Sequence, residues 1–283
     1  MPLELSISKF HVLGNDYLVV DPTKGPFEPD APSVRGLCDR RRGVGSDGLL
    51  VGPLPVEGRP EAFGLRIFNP DGSEAETSGD GLRIFARYLL EAVFDDSASC
   101  EIHTLGSVCR VSFLNADGSL AQVDMGLPSF KAADIPFTGI AAHLEVLETP
   151  LFFPSGPVTI TALNLGNPHC VVFPGEVSPD NARRLGPRIE KHPEFPEKVN
   201  VLLVEVVNRG RIRIEIWERG AGYTIAAGSC WAAAAACRRL NLVDSHVTVQ
   251  MQGGALDIDF SPEGRVLMTG PVSPIFFQVP LHP

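Results

Sequence analysis

The chain is 283 residues long, 44% hydrophobic, and carries a net charge of −10 with a pI near 5.2. That length suffices for one large domain or two ordinary ones. The acidic balance argues against nucleic-acid binding, which needs a basic face for phosphates. No run of about 18 apolar residues predicts a transmembrane helix, and the opening MPLELSISKFHVLG lacks the pattern of a secretory signal, so a cytoplasmic chain without a membrane partner is expected.

In chain order, HVLGNDYLVVD (11–21) reads as an apolar strand entered through Leu-Gly-Asn. RRR at 40–42 is the densest basic run and reads as a solvated face. RIFNPDGSEAETSGDGLRIFARYLL (66–90) is a strand ending in an aromatic residue, a Gly-rich loop and the start of an apolar helix over about 79–94. SVCRVSFL, VTITAL, VNVLLVEVV, RIRIEIW and HVTVQMQ are β-branched and alternating, with Gly, Asn and Pro between them, and predict strands. A second long helix is predicted over about 228–240, through WAAAAAC.

The chain also repeats itself. LNLGNPHCVVF (163–173) echoes 11–21, EIWERGAGYTIAAGSCWAAAAACRRL (215–240) echoes 66–90, and VLMTGPVSPIF (266–276) echoes AQVDMGLPSF (121–130). Matched positions lie 152, 149 and 144 residues apart, in the same order. The expected fold is α+β, with two pseudo-symmetric half-domains, each a curved, mainly antiparallel sheet around a central helix. The first half is predicted over 1–126, with 272–283 returning to it, and the second over 127–271. A cleft between two such halves is the default ligand site.

The six cysteines form no CxxC pair, and the seven histidines show no HxH or HExxH spacing, so reduced thiols and no metal are expected. GVGSDGLL contains GxG but no GxGxxG between a strand and a helix, and neither a P-loop nor a GxSxG elbow occurs; no cofactor is expected. Cys170 and Cys237 read as buried apolar side chains, and His169 as packed or hydrogen-bonded.

Both long helices begin at a small-residue turn, Ser78-Gly79-Asp80-Gly81 and Ala227-Gly228-Ser229-Cys230. Free backbone N–H groups and the positive end of the helix dipole gather there. Two such turns facing each other would hold an anion such as a carboxylate. Plain N-capping by Ser78 or Asp80 is the alternative.

LGNDYLVVD, RRGVGSDGLL, FNPDGSEAE, GDGLRIFARYL, LGNPHCVVF, VNVLLVE and WERGAGYTIAAG resemble, in order and spacing, the diaminopimelate epimerases and related cofactor-independent amino-acid racemases. The resemblance implies two half-domains with the active site in their cleft, and two cysteines at the helix mouths. One thiolate there removes the α-proton, and the opposite thiol returns a proton to the other face. It also implies a substrate shell at Asn15, Asn69, Asn167, Asn200, Glu218 and Arg219, with Gly79, Gly228 and Ser229 beside it. Arg219 would take a carboxylate and Glu218 an ammonium; a structural ion pair between these two is the alternative. Relatives of this fold are often dimers, and a homodimer stays open.

The chain departs from that pattern at the reacting end. Ser78 and Ala227 stand where the family has cysteine, Asp80 where it has Asn, Tyr223 where it has Glu, and Gly48 where Gln is common. Cys230 and Trp231 follow where Gly and a small residue are usual. Ala227 has no acid–base group, and a serine hydroxyl is a poor base near neutrality. Asp80 and Tyr223 are the candidates for proton transfer, and Cys230, one turn into its helix, is expected to face elsewhere. Three functions compete. The first is a one-base isomerase or lyase acting on an amino acid or an amino-acid-headed intermediate. The second is a true epimerase or racemase with unconventional bases, and the third a binding protein without turnover.

Overall fold

A computed structural model describes residues 5–93 and 98–280, and the chain divides into two compact units, 1–124 with 270–283, and 125–269. The end of the first predicted helix, at 94, lies outside the described residues. Among the described residues no helix is long and apolar enough to cross a membrane.

The first unit opens with an antiparallel pair, β1 (Ser6–Val12) and β2 (Asn15–Val20), joined by the Leu13-Gly14 turn. Both turn residues have positive φ, 52° and 92°, and glycine takes that conformation without a Cβ penalty. Helix α1 (Ala31–Cys38) crosses to β3 (Gly48–Leu54), which runs parallel to β2. Next come β4 (Phe63–Phe68), antiparallel to β3, and the two-residue β5 (Glu74–Ala75). Helix α2 (Gly79–Ala92) leads to β6 (Ser99–His103), parallel to β4, and then to β7 (Val108–Phe113) and β8 (Leu120–Gly126) in antiparallel succession.

The second unit begins its described sheet with β9 (Thr149–Phe153) and then repeats that pairing order. Strand β10 (Gly156–Asn164) pairs antiparallel with β11 (Pro168–Val172), and helix α3 (Pro179–Glu190) crosses to β12 (Asn200–Asn208), parallel to β11. Strand β13 (Arg211–Glu218) pairs with β12 and with the short β14 (Gly222–Thr224), both antiparallel. Helix α4 (Cys230–Arg239) then leads to β15 (His246–Met251), parallel to β13, followed by β16 (Gly254–Phe260) and β17 (Val266–Pro271). Strand β18 (Ser273–Pro280) returns to the first unit and pairs with β1. Gly166 turns β10 into β11 with φ 92°, the same value as Gly14.

Each sheet wraps a helix buried nearly all round. In α2 the buried positions run from Gly79 through Ala86 and on to Tyr88 and Leu89, and in α4 they run unbroken from Cys230 to Cys237. The alanines of α4 let strands approach closely on every side, whereas α2 fills its sheet with Leu82, Ile84, Phe85 and Leu89.

The sequence predicts about one long helix per unit, and the structure adds α1 and α3. Helix α3 escapes a hydrophobic reading because Gly186 and Pro187 lie inside it. Its start is capped by Ser178, whose side chain accepts from Asn181 N, with Pro179 in the first turn. Gly186 is there for space: a Cβ on it would sit 2.3 Å from Cγ of Trp217. Alanine gains about 1 kcal/mol over glycine in a helix interior, but overpacking a filled contact costs about 1–3 kcal/mol. We expect Gly186→Ala to lower stability by about 1 kcal/mol in urea denaturation; equal or higher stability would mean that the Trp217 ring moves aside freely.

Candidate active site

In the first unit, the start of the β2–β3 pair is clamped by charge. Asp16 is buried and accepts from Arg40 at 2.5 Å and from Lys9 at 2.7 Å, while Arg40 also reaches Asp47 at 2.7 Å. Burial pushes the Asp16 carboxyl up, but hydrogen bonds with Arg40, Asp47 and Lys9, with the Lys9 charge, together hold it well below the usual carboxylate range. Arg40 is therefore a structural tie as well as a solvated residue, while Arg41 and Arg42 are exposed. This clamp fixes the backbone that presents Asn15, Tyr17 and Gly48.

Helix α2 begins at Ser78, an N-cap in extended conformation whose Oγ accepts from Gly81 N at 3.1 Å. The capping alternative weighed from sequence therefore holds for Ser78. Asp80 sits in the first turn and is only 1% exposed. One of its oxygens pairs with Arg83, itself fully buried, and the other accepts from Asn15 Nδ2 at 2.8 Å. Asn69 stays in its own turn, donating to Ser73 Oγ at 2.9 Å.

In the second unit, one bonded group spans β11, the starts of β12 and α4, and the β13–β14 turn. His169 contacts Asn167 Oδ1 through Nε2 at 2.8 Å, and its ring meets Trp231 edge-on at 4.9 Å between centroids. Asn200 donates to Pro168 O at 3.1 Å and accepts from Arg219 N at 2.8 Å. Ser229 donates to Glu218 Oε1 at 3.3 Å. Glu190 of α3 grips the turn from behind, accepting from Trp217 Nε1 at 2.8 Å and Gly220 N at 3.2 Å. Ala227 and Gly228 are buried at the entrance to α4. Among the described residues no three His, Cys, Asp or Glu side chains come together as a metal-holding group.

This part of the second unit gathers amides, the Glu218 carboxylate and Arg219, whose Nη1 donates to the Glu197 carbonyl oxygen at 3.4 Å. The family model for diaminopimelate epimerase matches residues 7–131 and 161–275. The chain belongs to the diaminopimelate epimerase family. It is 44% identical over 266 residues to diaminopimelate epimerase 2 of a Nostoc species, covering 94% of this chain and 92% of that one. It is 40% identical over 279 residues to the diaminopimelate epimerase of Chromobacterium violaceum, covering 97% and 98%. Its fold is that of a probable proline racemase from Agrobacterium radiobacter, with a TM-score of 0.72 at 17% identity over 99% of this chain and 94% of that one. A phenazine biosynthesis protein from Bacillus anthracis shares the fold with a TM-score of 0.64 at 14% identity, over 98% and 99%.

Within this family member, two residues singled out from sequence for proton transfer are otherwise engaged. Tyr223 is opposite Trp217 in the β13–β14 pair, on the sheet face that meets α3. Its hydroxyl donates to Glu215 Oε2 at 2.7 Å, and Arg183 stacks 4.1 Å from its ring centre. Burial and the Glu215 carboxylate push its phenol up to about 12. Glu218 pairs with Gly222 and points to the other face, where Ser229 contacts it. Tyr223 is thus not beside Glu218, and strand alternation is the reason. Asp80 has its two oxygens taken by Arg83 and Asn15, which makes it half of a buried ion pair rather than an open base. Cys230 is fully buried. Sequence reading missed Arg83 and Glu190 as partners of these residues. The Asp80 to Arg83 spacing of one helical turn was the available signal for the first.

His169 is fully buried, and burial, with the nearby Arg219 charge, pushes it down to about 3. The ring is therefore neutral in the native state.

Two outcomes follow from these environments. Asp80→Asn leaves Arg83 buried without a countercharge and should cost about 3 kcal/mol in denaturant titration. Adding Arg83→Met should recover much of that loss, whereas additive losses would show that the pair is uncoupled. For His169, the unfolded chain takes up a proton near pH 6.5 and the native chain does not until near pH 3. Stability should therefore fall as pH drops below about 6.5, and His169→Gln should flatten that slope between about pH 6.5 and 4. An unchanged slope would mean that the native ring does protonate.

Proposed function

We propose that the chain is a cofactor-independent isomerase or lyase that moves a proton on an amino acid or an amino-acid-headed intermediate, without two-thiol chemistry. Membership of the epimerase family supports the reaction class. The observation that carries the substrate class is the bonded set Asn167, His169, Asn200, Glu218, Arg219 and Ser229 in the second unit. Arg219, with its backbone held by Asn200, takes the substrate carboxylate in a two-point grip. His169, neutral and fixed by packing, holds Asn167 by its carbonyl oxygen, so that the amide N–H groups face outward as donors.

We assign proton transfer to Glu218, the carboxylate at the mouth of α4 in contact with the Ser229 hydroxyl, in place of the ammonium-binding role that the family resemblance implies; Ala227 brings no thiol there and Tyr223 faces away. A single base favours tautomerisation, double-bond migration, elimination or cyclisation over inversion, because inversion needs a second group on the opposite face of the planar intermediate. Ser78, Gly79 and Asp80, at the mouth of α2, stay proposed site residues of the first unit. The pairing of Asp80 with Arg83 removes the repulsion of about 1–4 kcal/mol that a lone carboxylate would exert on an anionic substrate. A second reading, an amino-acid-binding protein without turnover, is favoured by the loss of Asp80 and Tyr223 as open acid–base groups.

One experiment separates the readings. The protein is incubated in D2O with LL- and meso-diaminopimelate and a panel of L-amino acids, and each Hα is followed by NMR. We expect Hα exchange without a new stereoisomer, abolished by Glu218→Gln, and Arg219→Met should weaken binding of amino acids but not of their decarboxylated amines. Inversion would establish two-face chemistry without thiols and sink the one-base proposal. Binding by line broadening with no exchange would favour the second reading.

A further inference from the structure

Two features at the mouth of α2 converge on a residue given no role so far. The first is register. In the second unit the parallel β11–β12 pair opens with His169 opposite Asn200, and His169 packs on Trp231 in the first turn of α4. In the first unit the parallel β2–β3 pair opens with Tyr17 opposite Gly48. Both members are displaced by the same 152 residues, so Tyr17 holds the place of His169 and Gly48 that of Asn200. Tyr17, like His169, is aimed at the first turn of its unit's buried helix: its hydroxyl lies 3.4 Å from Ser78 Oγ.

The second feature is steric. A Cβ on Gly48 would lie 2.4 Å from Cε1 and 2.8 Å from Cδ1 of Tyr17, and 2.9 Å from the Phe68 carbonyl oxygen. The ring can occupy this position only because residue 48 has no side chain.

We propose that Tyr17 is a positioning residue that sets the direction of the Ser78 hydroxyl, with Gly48 providing the space. A hydroxyl oxygen has two lone pairs and one proton. Gly81 N–H occupies one lone pair of Ser78 Oγ at 3.1 Å. The Tyr17 O–H, 3.4 Å away, donates into the second. With both lone pairs engaged, the Ser78 proton is presented outward, and Ser78 serves the site as a hydrogen-bond donor rather than as a base. The inference rests on the reading above only in placing Ser78 at the reacting end. The Tyr17–Ser78 interaction itself is tested without any substrate.

The test replaces the oxygen with a titratable atom. All six native cysteines are buried, so iodoacetamide reports selectively on the thiol introduced by Ser78→Cys, with the labelled peptide identified by mass spectrometry. A phenol donating to the thiolate stabilises it. Tyr17→Phe in that background should raise the pH of half-maximal alkylation by about one unit, the size expected for one hydrogen bond to a charged group. Gly48→Ala should shift it in the same direction by displacing the ring, and the two changes together should add nothing beyond either alone. A midpoint that stays put or falls in Tyr17→Phe overturns the proposal. The protein with its native serine gives an independent readout. The chain has three tyrosines, and with 13C-labelled phenol carbons Ser78→Ala should move the one signal that Tyr17→Phe removes. An unmoved Tyr17 signal would also overturn the proposal. These measurements stand whether or not Hα exchange is found, so failure of the functional reading and failure of this one are distinguishable.

Discussion

A helix buried on every side must settle its free N–H groups inside the protein. At a solvent-facing helix end, water satisfies the first-turn donors; at a buried end, side chains or ligands must do so. In α2 Ser78 takes the Gly81 donor. In α4 the entering residue, Ser229, has helical backbone angles and makes no side-chain cap, and its hydroxyl turns to Glu218 instead. The two helix entrances are therefore chemically different although the strands around them are paired in the same order. One is closed by its own serine, and the other lends its serine to a carboxylate.

The second unit is built around that difference. Asn200 uses its carbonyl and one N–H to join β11 to the turn after β13, so the turn that presents Glu218 and Arg219 is pinned from the front by an amide. Glu190 pins it from behind. Neither contact touches the polar ends of Glu218 or Arg219. Their effect is to remove backbone freedom, which a binding residue would otherwise lose on meeting its ligand. In the first unit the same service comes from the cluster of Lys9, Asp16, Arg40 and Asp47, at the corresponding corner of the sheet.

Much of this was legible in the sequence, for physical reasons that can be named. Strand alternation located β7, β13 and β15, where burial follows period two, and β-branched apolar runs located β10 and β12, whose middles are buried on both faces. The two Leu-Gly-Asn turns stood out because a φ near 92° favours glycine, and they led to the repeat. Helix α3 was hidden because Gly186 answers to the Trp217 ring rather than to helix propensity, and Pro187 follows it inside the helix. For the candidate site the sequence offers residue types but not directions. Which face Tyr223 meets depends on its register with Trp217 across a three-residue strand. Whether Asp80 is open depends on Arg83, a residue that amphipathic patterning assigns to a surface but that is fully buried.

Gly48 also makes the ring of Tyr17 answerable to a neighbour that has no functional group. A Cβ at that position would meet the ring closer than real Cβ atoms are found, and would meet the Phe68 carbonyl oxygen behind it. The space is closed on one side by backbone, which cannot step aside, so only the ring can yield. Position 48 thus acts on the corner through volume alone.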